Sequence, residues 1–389
     1  MRIILFNDHM SLKTVKDGKI KEYTCDFYNN YVTAERRTKD NYAWKYHGAG
    51  ARFMGEERLD DDDSDGHSYF NSLDFLNEDE IIYSVTVKDI SGVMRKYLSD
   101  DKLGEAHVIH SRDLVFDGAC PNTDKTKFIT CVKSDFVTAH LTEYDFKTDD
   151  YYTLTDGDCA DLDAVYSRRN SDEILFSTKG AGRNAQGEFV KYSPAKICSY
   201  DKFTGDITEI IADANYSFVK PKDDENGNLY YIRRPEEKPK ANPLRILLDV
   251  ILIPWRLLQA VYYFLESFTI SFTGKKFIRD GSNPAKTRDR NNRQTMIEGN
   301  LINAENEYKN NLRHKDANAG YAPRSWELIK RSPDGSEKVV RRGVIDYCLT
   351  NDEEIILTNG KYVLCIDKDG KENKITETSL CTKVAAFDN

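Results

Sequence analysis

The stretch VAAFDN (residues 384–389) runs straight into MRIILFN (residues 1–7) when the chain is read past its own end, and the joined text is the sixth copy of one phrase. Five copies lie inside the chain: FLNEDEIIYSV from Phe75, PNTDKTKFITCV from Pro121, RRNSDEILFST from Arg168, KDDENGNLYYI from Lys222 and LTNDEEIILTN from Leu349. Each reads as a turn followed by a short apolar strand. A repeat that completes itself through the two termini is what a circular array requires, because closure pairs the edges that an open array of sheets leaves exposed.

A second phrase follows each copy: a strand, a turn with Asp or Gly, and another strand. It occurs as KTVKDGKIKEYT (13–24), EYDFKTDDYYTLT (143–155), SYDKFTGDITEII (199–211), IKRSPDGSEKVV (329–340) and CIDKDGKENKIT (365–376), with a looser version at 97–109. Asp-Gly and Thr-Gly between alternating apolar residues are hairpin signals. Each unit therefore holds about four strands. The first apolar residues of the six units are Ile3, Ile81, Phe128, Ile174, Leu229 and Ile355, spaced from Ile81 onward by 47, 46, 55 and 126 residues and then by 37 across the join. Four-stranded units at such a period are the signature of propeller blades. A two-sheet sandwich would show similar turns but does not need its ends to complete a unit. The expected fold is all-β, a six-bladed β-propeller closed by pairing of the N- and C-terminal strands.

An apolar strand after N-x-D-x or N-S-D-E, paired with Y-D-x-x-T-G and a closing L-T or I-T, resembles the TolB-like six-bladed β-propeller family. The resemblance covers most of the chain outside one long insertion. The family's W-S-P-D-G phrase is absent from the inner strand, although Ser332-Pro333-Asp334-Gly335 occurs in an outer hairpin. The resemblance implies a ring of this kind. Such propellers serve as protein-binding platforms, as substrate gates attached to hydrolases, or as small-molecule enzymes, and the fold does not choose among these.

The chain has 389 residues, 39% of them hydrophobic, which is ample for a folded core. Its net charge of −9 does not invite nucleic acid. The first residues lack the basic start, apolar core and cleavage site of a secretory signal. None of the eight cysteines forms a C-x-x-C pair, so their spacing favours neither zinc nor disulfides. Together these features predict a cytoplasmic protein with reduced thiols.

The step from Leu229 to Ile355 is too long for one blade, and removing residues 235–323 restores the period. The expected domains are propeller 1–234, a helical insertion 235–323, and propeller 324–389. Within the insertion, residues 244–272 (LRILLDVILIPWRLLQAVYYFLESFTISF) are apolar for longer than any strand here. At helical pitch, Arg245, Asp249, Arg256, Gln259 and Glu266 fall within an arc of about 100°. Pro254 is expected to kink or divide this helix. Arg256 near its middle argues against a membrane-spanning segment.

An in-plane amphipathic helix fits the pattern better. Residues 238–293 carry eleven basic and four acidic side chains, +7 on a body of −16. Such an element attracts anionic lipid. The same face could equally bury against the propeller or a second copy of the chain. Leu248, Ile251, Trp255, Leu258, Tyr262 and Phe264, with Lys275 and Lys276, are the expected contact residues for a membrane surface, a protein partner or a homodimer. A second helix is expected near residues 293–312, where Ile297, Leu301, Ala304, Tyr308 and Leu312 keep helical spacing.

The connection 25–68 is long for a link between blades. It reads as an aromatic, polar loop over one channel mouth or against two blades. Trp44, Tyr46, His47, Arg52 and His67 are its pocket candidates. Asp61, Asp63 and Asp65 form D-x-D-x-D-G, which can place carboxylates around Ca2+, but the twelfth loop position is Ser72 rather than Glu. A solvated acidic loop fits that context better, and no other cofactor is expected. No nucleophile elbow, phosphate loop or H-E-x-x-H occurs. The seven histidines are scattered, and His107 and His110 are expected on opposite faces of one strand. The expectation is a non-enzymatic scaffold that binds a protein partner, the insertion docking it to a membrane face or a second subunit. The alternative is an enzyme or small-molecule or ion binder at the channel mouth.

Overall fold

Ile3, Ile81, Phe128, Ile174, Leu229 and Ile355 stand at the first or second position of six equivalent strands, the second strand of each of six four-stranded antiparallel blades. The computed structural model describes residues 2–46, 68–99, 104–236, 295–297 and 300–388. Blade 1 runs Val384–Asp388, Arg2–Asp8, Ser11–Lys16, Lys19–Thr24; blade 2 runs Ser68–Asn77, Glu80–Val87, Ile90–Tyr97, Glu105–Ser111. Blade 3 is Val115–Pro121, Lys127–Lys133, His140–Asp145, Asp150–Thr153, and blade 4 is Cys159–Tyr166, Glu173–Arg183, Lys196–Asp201, Ile207–Ile211. Blade 5 is Tyr216–Asp223, Leu229–Pro235, Glu327–Arg331, Glu337–Arg342, and blade 6 is Asp346–Leu349, Ile355–Thr358, Tyr362–Ile366, Glu372–Glu377.

Burial follows position in the blade. The second strands are packed on both faces, and every residue of Glu80–Val87 and Ile355–Thr358 is buried. Outermost strands such as Asp150–Thr153 are exposed throughout. Tyr83, Phe128, Phe176, Tyr231 and Tyr347 fill the layers between blades, each large apolar group contributing about 1.5–3 kcal/mol.

The ring closes as the joined repeat requires. Val384–Asp388 is the innermost strand of blade 1 and pairs antiparallel with Arg2–Asp8, with Leu5 opposite Ala385 and Phe6 opposite Val384. Asn7 Oδ1 accepts from the Thr382 and Lys383 amides at 2.9 and 2.8 Å, and Asp8 Oδ1 from the Ser379 amide at 2.9 Å.

Residues 1–35, 63–236 and 294–389 form one compact unit; residues 36–62 and 237–293 form a second, of which only 36–46 are described. In the first unit Pro235 ends one strand of blade 5 and Glu327 begins its neighbour in the sheet. Before Glu327 the chain folds as a hairpin (Thr295–Ile297, Asn300–Ile302) and a helix, α2 (Ala304–Arg313). The helix expected over 293–312 is thus only half realised. Asn303 caps α2 by accepting from the Asn306 amide, so the helix cannot begin earlier. Buried Asn311 holds the return segment, donating to the carbonyls of Gly320 and Ala322, both at 3.0 Å. Gly320 passes so close to Asn359 that a side chain would collide with it. Ile297, Ile302, Ala322 and Trp326 join the core between blades 5 and 6.

Two other expectations are revised. The connection after Cys25 opens as a helix, α1 (Asp26–Tyr46), rather than a loop. Its first turn is anchored by blade 2, because buried Glu105 accepts from the Asp26 and Phe27 amides at 3.1 and 2.7 Å. Phe27, Tyr28 and Tyr31 pack on the core there. His107 and His110 lie on one face, rings 5.4 Å apart and both against Phe27. A register shift between Val93 and Met94 admits an extra residue opposite them, which cancels the expected alternation.

Candidate site at the mouth of blades 3 and 4

The inner strands do not alternate cleanly, because they carry bulges at matching depths. Register skips fall between Asp117 and Cys120, Leu162 and Val165, and Val219 and Lys222. At these skips Gly118, Asp163 and Lys220 take positive φ of 104°, 55° and 56°. Bulges re-aim side chains, and here they turn polar groups toward the neighbouring blade. Asp163 Oδ2 accepts from the Lys220 amide at 3.2 Å, Lys220 Nζ pairs with Asp346 Oδ1 at 3.0 Å, and Asp346 Oδ2 accepts from the Val384 amide at 3.0 Å. Tyr347 adds its hydroxyl on the Lys220 carbonyl at 2.7 Å. Blades 4, 5, 6 and 1 are stitched in sequence by these bonds.

At the end of the channel where inner strands begin, Lys133 ends the second strand of blade 3, and Lys179 lies opposite Ala160 near the start of the inner strand of blade 4. Lys133 pairs with Asp117 at 2.6 Å. Burial alone would lower its pKa, but Asp117 overrides this and raises it. Lys179 behaves oppositely. Burial, then the neighbouring Lys133 charge, lowers its pKa. Its Nζ lies 4.0 Å from the centre of the Tyr192 ring, and it forms no ion pair among the described residues.

Blade 4 also extends beyond its sheet. Glu173–Arg183 continues past the blade and pairs with an extra strand, Phe189–Tyr192. Tyr192 donates to the Val137 carbonyl at 2.6 Å and so ties this hairpin to the loop of blade 3. Phe136 of that loop is fully exposed, and Phe189 and Val190 of the extra strand are 40% and 61% exposed, with the Phe189 ring 4.8 Å from that of Tyr192.

Between the same two blades, a parallel bridge joins Ala139 to Ala160. It brings His140, Cys159 and Asp161 together, with donor atoms within 4.8 Å of one another. Sequence spacing missed this group because His140 belongs to blade 3 and the other two to blade 4. The pattern C-x-D nineteen residues after a His was its only sequence trace.

Of the residues singled out in sequence, Trp44 and Tyr46 lie in α1, and their side chains are outside the described set. His47, Arg52, Asp61, Asp63, Asp65 and His67 lie outside the described residues. So do Leu248, Ile251, Trp255, Leu258, Tyr262, Phe264, Lys275 and Lys276. Among the described residues no helix is long and apolar enough to cross a membrane.

The blades, their order and their closure through the termini define a TolB-like six-bladed propeller. Among solved structures, the chain is similar to TolB from Acinetobacter baumannii, with a TM-score of 0.50 at 9% identity over 99% of this chain and 66% of that one. It thus spans about two-thirds of that protein's length. A structure of a nidogen/laminin complex gives a TM-score of 0.48 at 9% identity, covering 99% of this chain and 98% of that one. At such identities the likeness is one of fold. No family profile and no curated protein sequence matches the chain.

Proposed function

We propose that this chain is a non-enzymatic propeller scaffold that binds a protein partner through the mouth of blades 3 and 4. The observation that carries the reading is the exposure of Phe136, Phe189 and Val190 around Tyr192, which bonds the Val137 carbonyl and has Lys179 over its ring. Exposed aromatics held in place beside cations are the composition of interface hot spots. The absence of nucleophile, phosphate-loop and metalloprotease motifs from the sequence supports a binding role over catalysis. In this reading residues 235–323 supply a second contact, with an anionic membrane face or a second subunit, as their amphipathic basic pattern suggests. The unpaired cysteine pattern fits a cytoplasmic setting.

The test is capture from source-cell extract on immobilised full-length protein and on a Phe136→Asp, Phe189→Asp variant of unchanged circular dichroism. A partner retained near one-to-one by the parent and lost by the variant is the expected result. Identical retention by both overturns the reading.

One observation favours a second reading, a small anionic ligand at the channel mouth. Lys179 is largely desolvated without a paired carboxylate among the described residues, which an anion would remedy.

A further inference from the structure

We propose that His140, Cys159 and Asp161 form a binding site for a divalent transition metal of the zinc class, which staples blade 3 to blade 4. Imidazole nitrogen, thiolate and carboxylate are the donor set that zinc takes, and three protein ligands leave a fourth tetrahedral position for solvent.

The geometry is close to what such an ion needs. Bonds of about 2.3 Å to sulfur and 2.0 Å to oxygen at a tetrahedral angle place those two atoms about 3.5 Å apart. Cys159 Sγ and Asp161 Oδ1 are 3.5 Å apart. The third residue, His140, carries a buried Nδ1 that makes no hydrogen bond among the described residues. A buried ring nitrogen left unpaired is unusual in a well-packed protein. A metal bond accounts for it.

The surroundings fix the donors. The Ala139 amide donates to the Cys159 carbonyl at 3.1 Å, and the Asp161 amide to the Ala139 carbonyl at 2.9 Å, which locks the His140 segment against the other two ligands. Thr155 donates to Asp161 Oδ2 and Thr178 to Oδ1, each at 2.6 Å. Such outer hydroxyls orient a ligating carboxylate. Binding releases the thiol proton to solvent.

The test titrates chelator-treated full-length protein with Co2+ and then with Zn2+. The expected result is one equivalent of Co2+ with a thiolate-to-metal charge-transfer band, which Zn2+ abolishes. Cys159→Ser should lose the band, His140→Gln should weaken binding at least tenfold, and Cys120→Ser should change neither. Should the site variants fail to fold, alkylation of the parent protein decides: Zn2+ should protect Cys159 and leave Cys365 as reactive as before. No thiolate band in the parent, equal affinity in the variants, or alkylation of Cys159 unaffected by Zn2+ overturns the site.

Discussion

Arg2 Nε donates to Asp388 Oδ1 at 2.6 Å, joining residues 386 positions apart in the chain. The same guanidinium pairs with Asp352 at 3.0 Å and with Glu354, both in the first turn of blade 6. Asp388 in turn accepts from the Asn351 amide at 2.8 Å. One side chain therefore clasps the closing strand and the neighbouring blade. Its pKa is raised because these carboxylates outweigh the effect of burial. Arg2→Ala should cost about 1–3 kcal/mol, since it leaves half-buried carboxylates unpaired. Urea denaturation measures this, and the loss should shrink at high salt.

Lys220 and Asp346 are both almost fully buried, so removing one partner isolates a charge. Lys220→Met should destabilise by about 3–5 kcal/mol, whereas Lys220→Met with Asp346→Asn should recover a large part of the loss. A double-mutant cycle by chemical denaturation reads the coupling. Additive single effects would contradict the stitching role given to this pair.

The two mouth lysines should part company. Lys133→Met removes the ion pair to Asp117 and should destabilise by about 1–3 kcal/mol. Lys179→Met removes a desolvated cation that has no ion pair among the described residues, so its stability should stay level or rise by about 1 kcal/mol. A destabilised Lys179→Met would mean that this lysine serves the fold, and would weaken the anion reading of the mouth.

Glu143 sets the sign of an acid transition. Burial tends to raise its pKa, but hydrogen bonds from Lys202 (2.5 Å), Tyr166 (2.8 Å) and Lys127 (3.0 Å) hold it below the ordinary value of 4.5. Its contribution is complete above the unfolded pKa and is lost as pH falls through the folded one. The stability gap between parent and Glu143→Gln should therefore be constant from about pH 7 to 5 and close below about pH 4.5. Denaturation midpoints from pH 7 to 3 check this.

The ring was legible because its turns and hairpins are written locally. All six apolar anchors head second strands, and Ser332–Gly335 falls in the outer hairpin as expected. The bulges were not legible. Lys220 and Asp163 take positive φ without being glycine, so no residue type announces them. Helix α1 escaped notice because its core-facing aromatics, buried Phe27 and partly buried Tyr28 and Tyr31, sit in the first two turns and give way to a polar run. The group of His140, Cys159 and Asp161 depends on which strands become neighbours across two blades. Local spacing does not carry that information.

The central claim is that the ring is completed by its own termini. Deleting residues 384–389 strips the inner strand from blade 1 and leaves the backbone groups on that edge of Arg2–Asp8 without partners. Joining residue 389 to residue 1 and reopening the chain at the turn 147–149 of blade 3 keeps every blade. Thermal unfolding of the two proteins beside the parent is the direct test. The account predicts a Tm at least about 10 °C lower, or loss of the cooperative transition, for the deletion, and a Tm close to the parent for the permuted chain. A deletion that melts with the parent would contradict it.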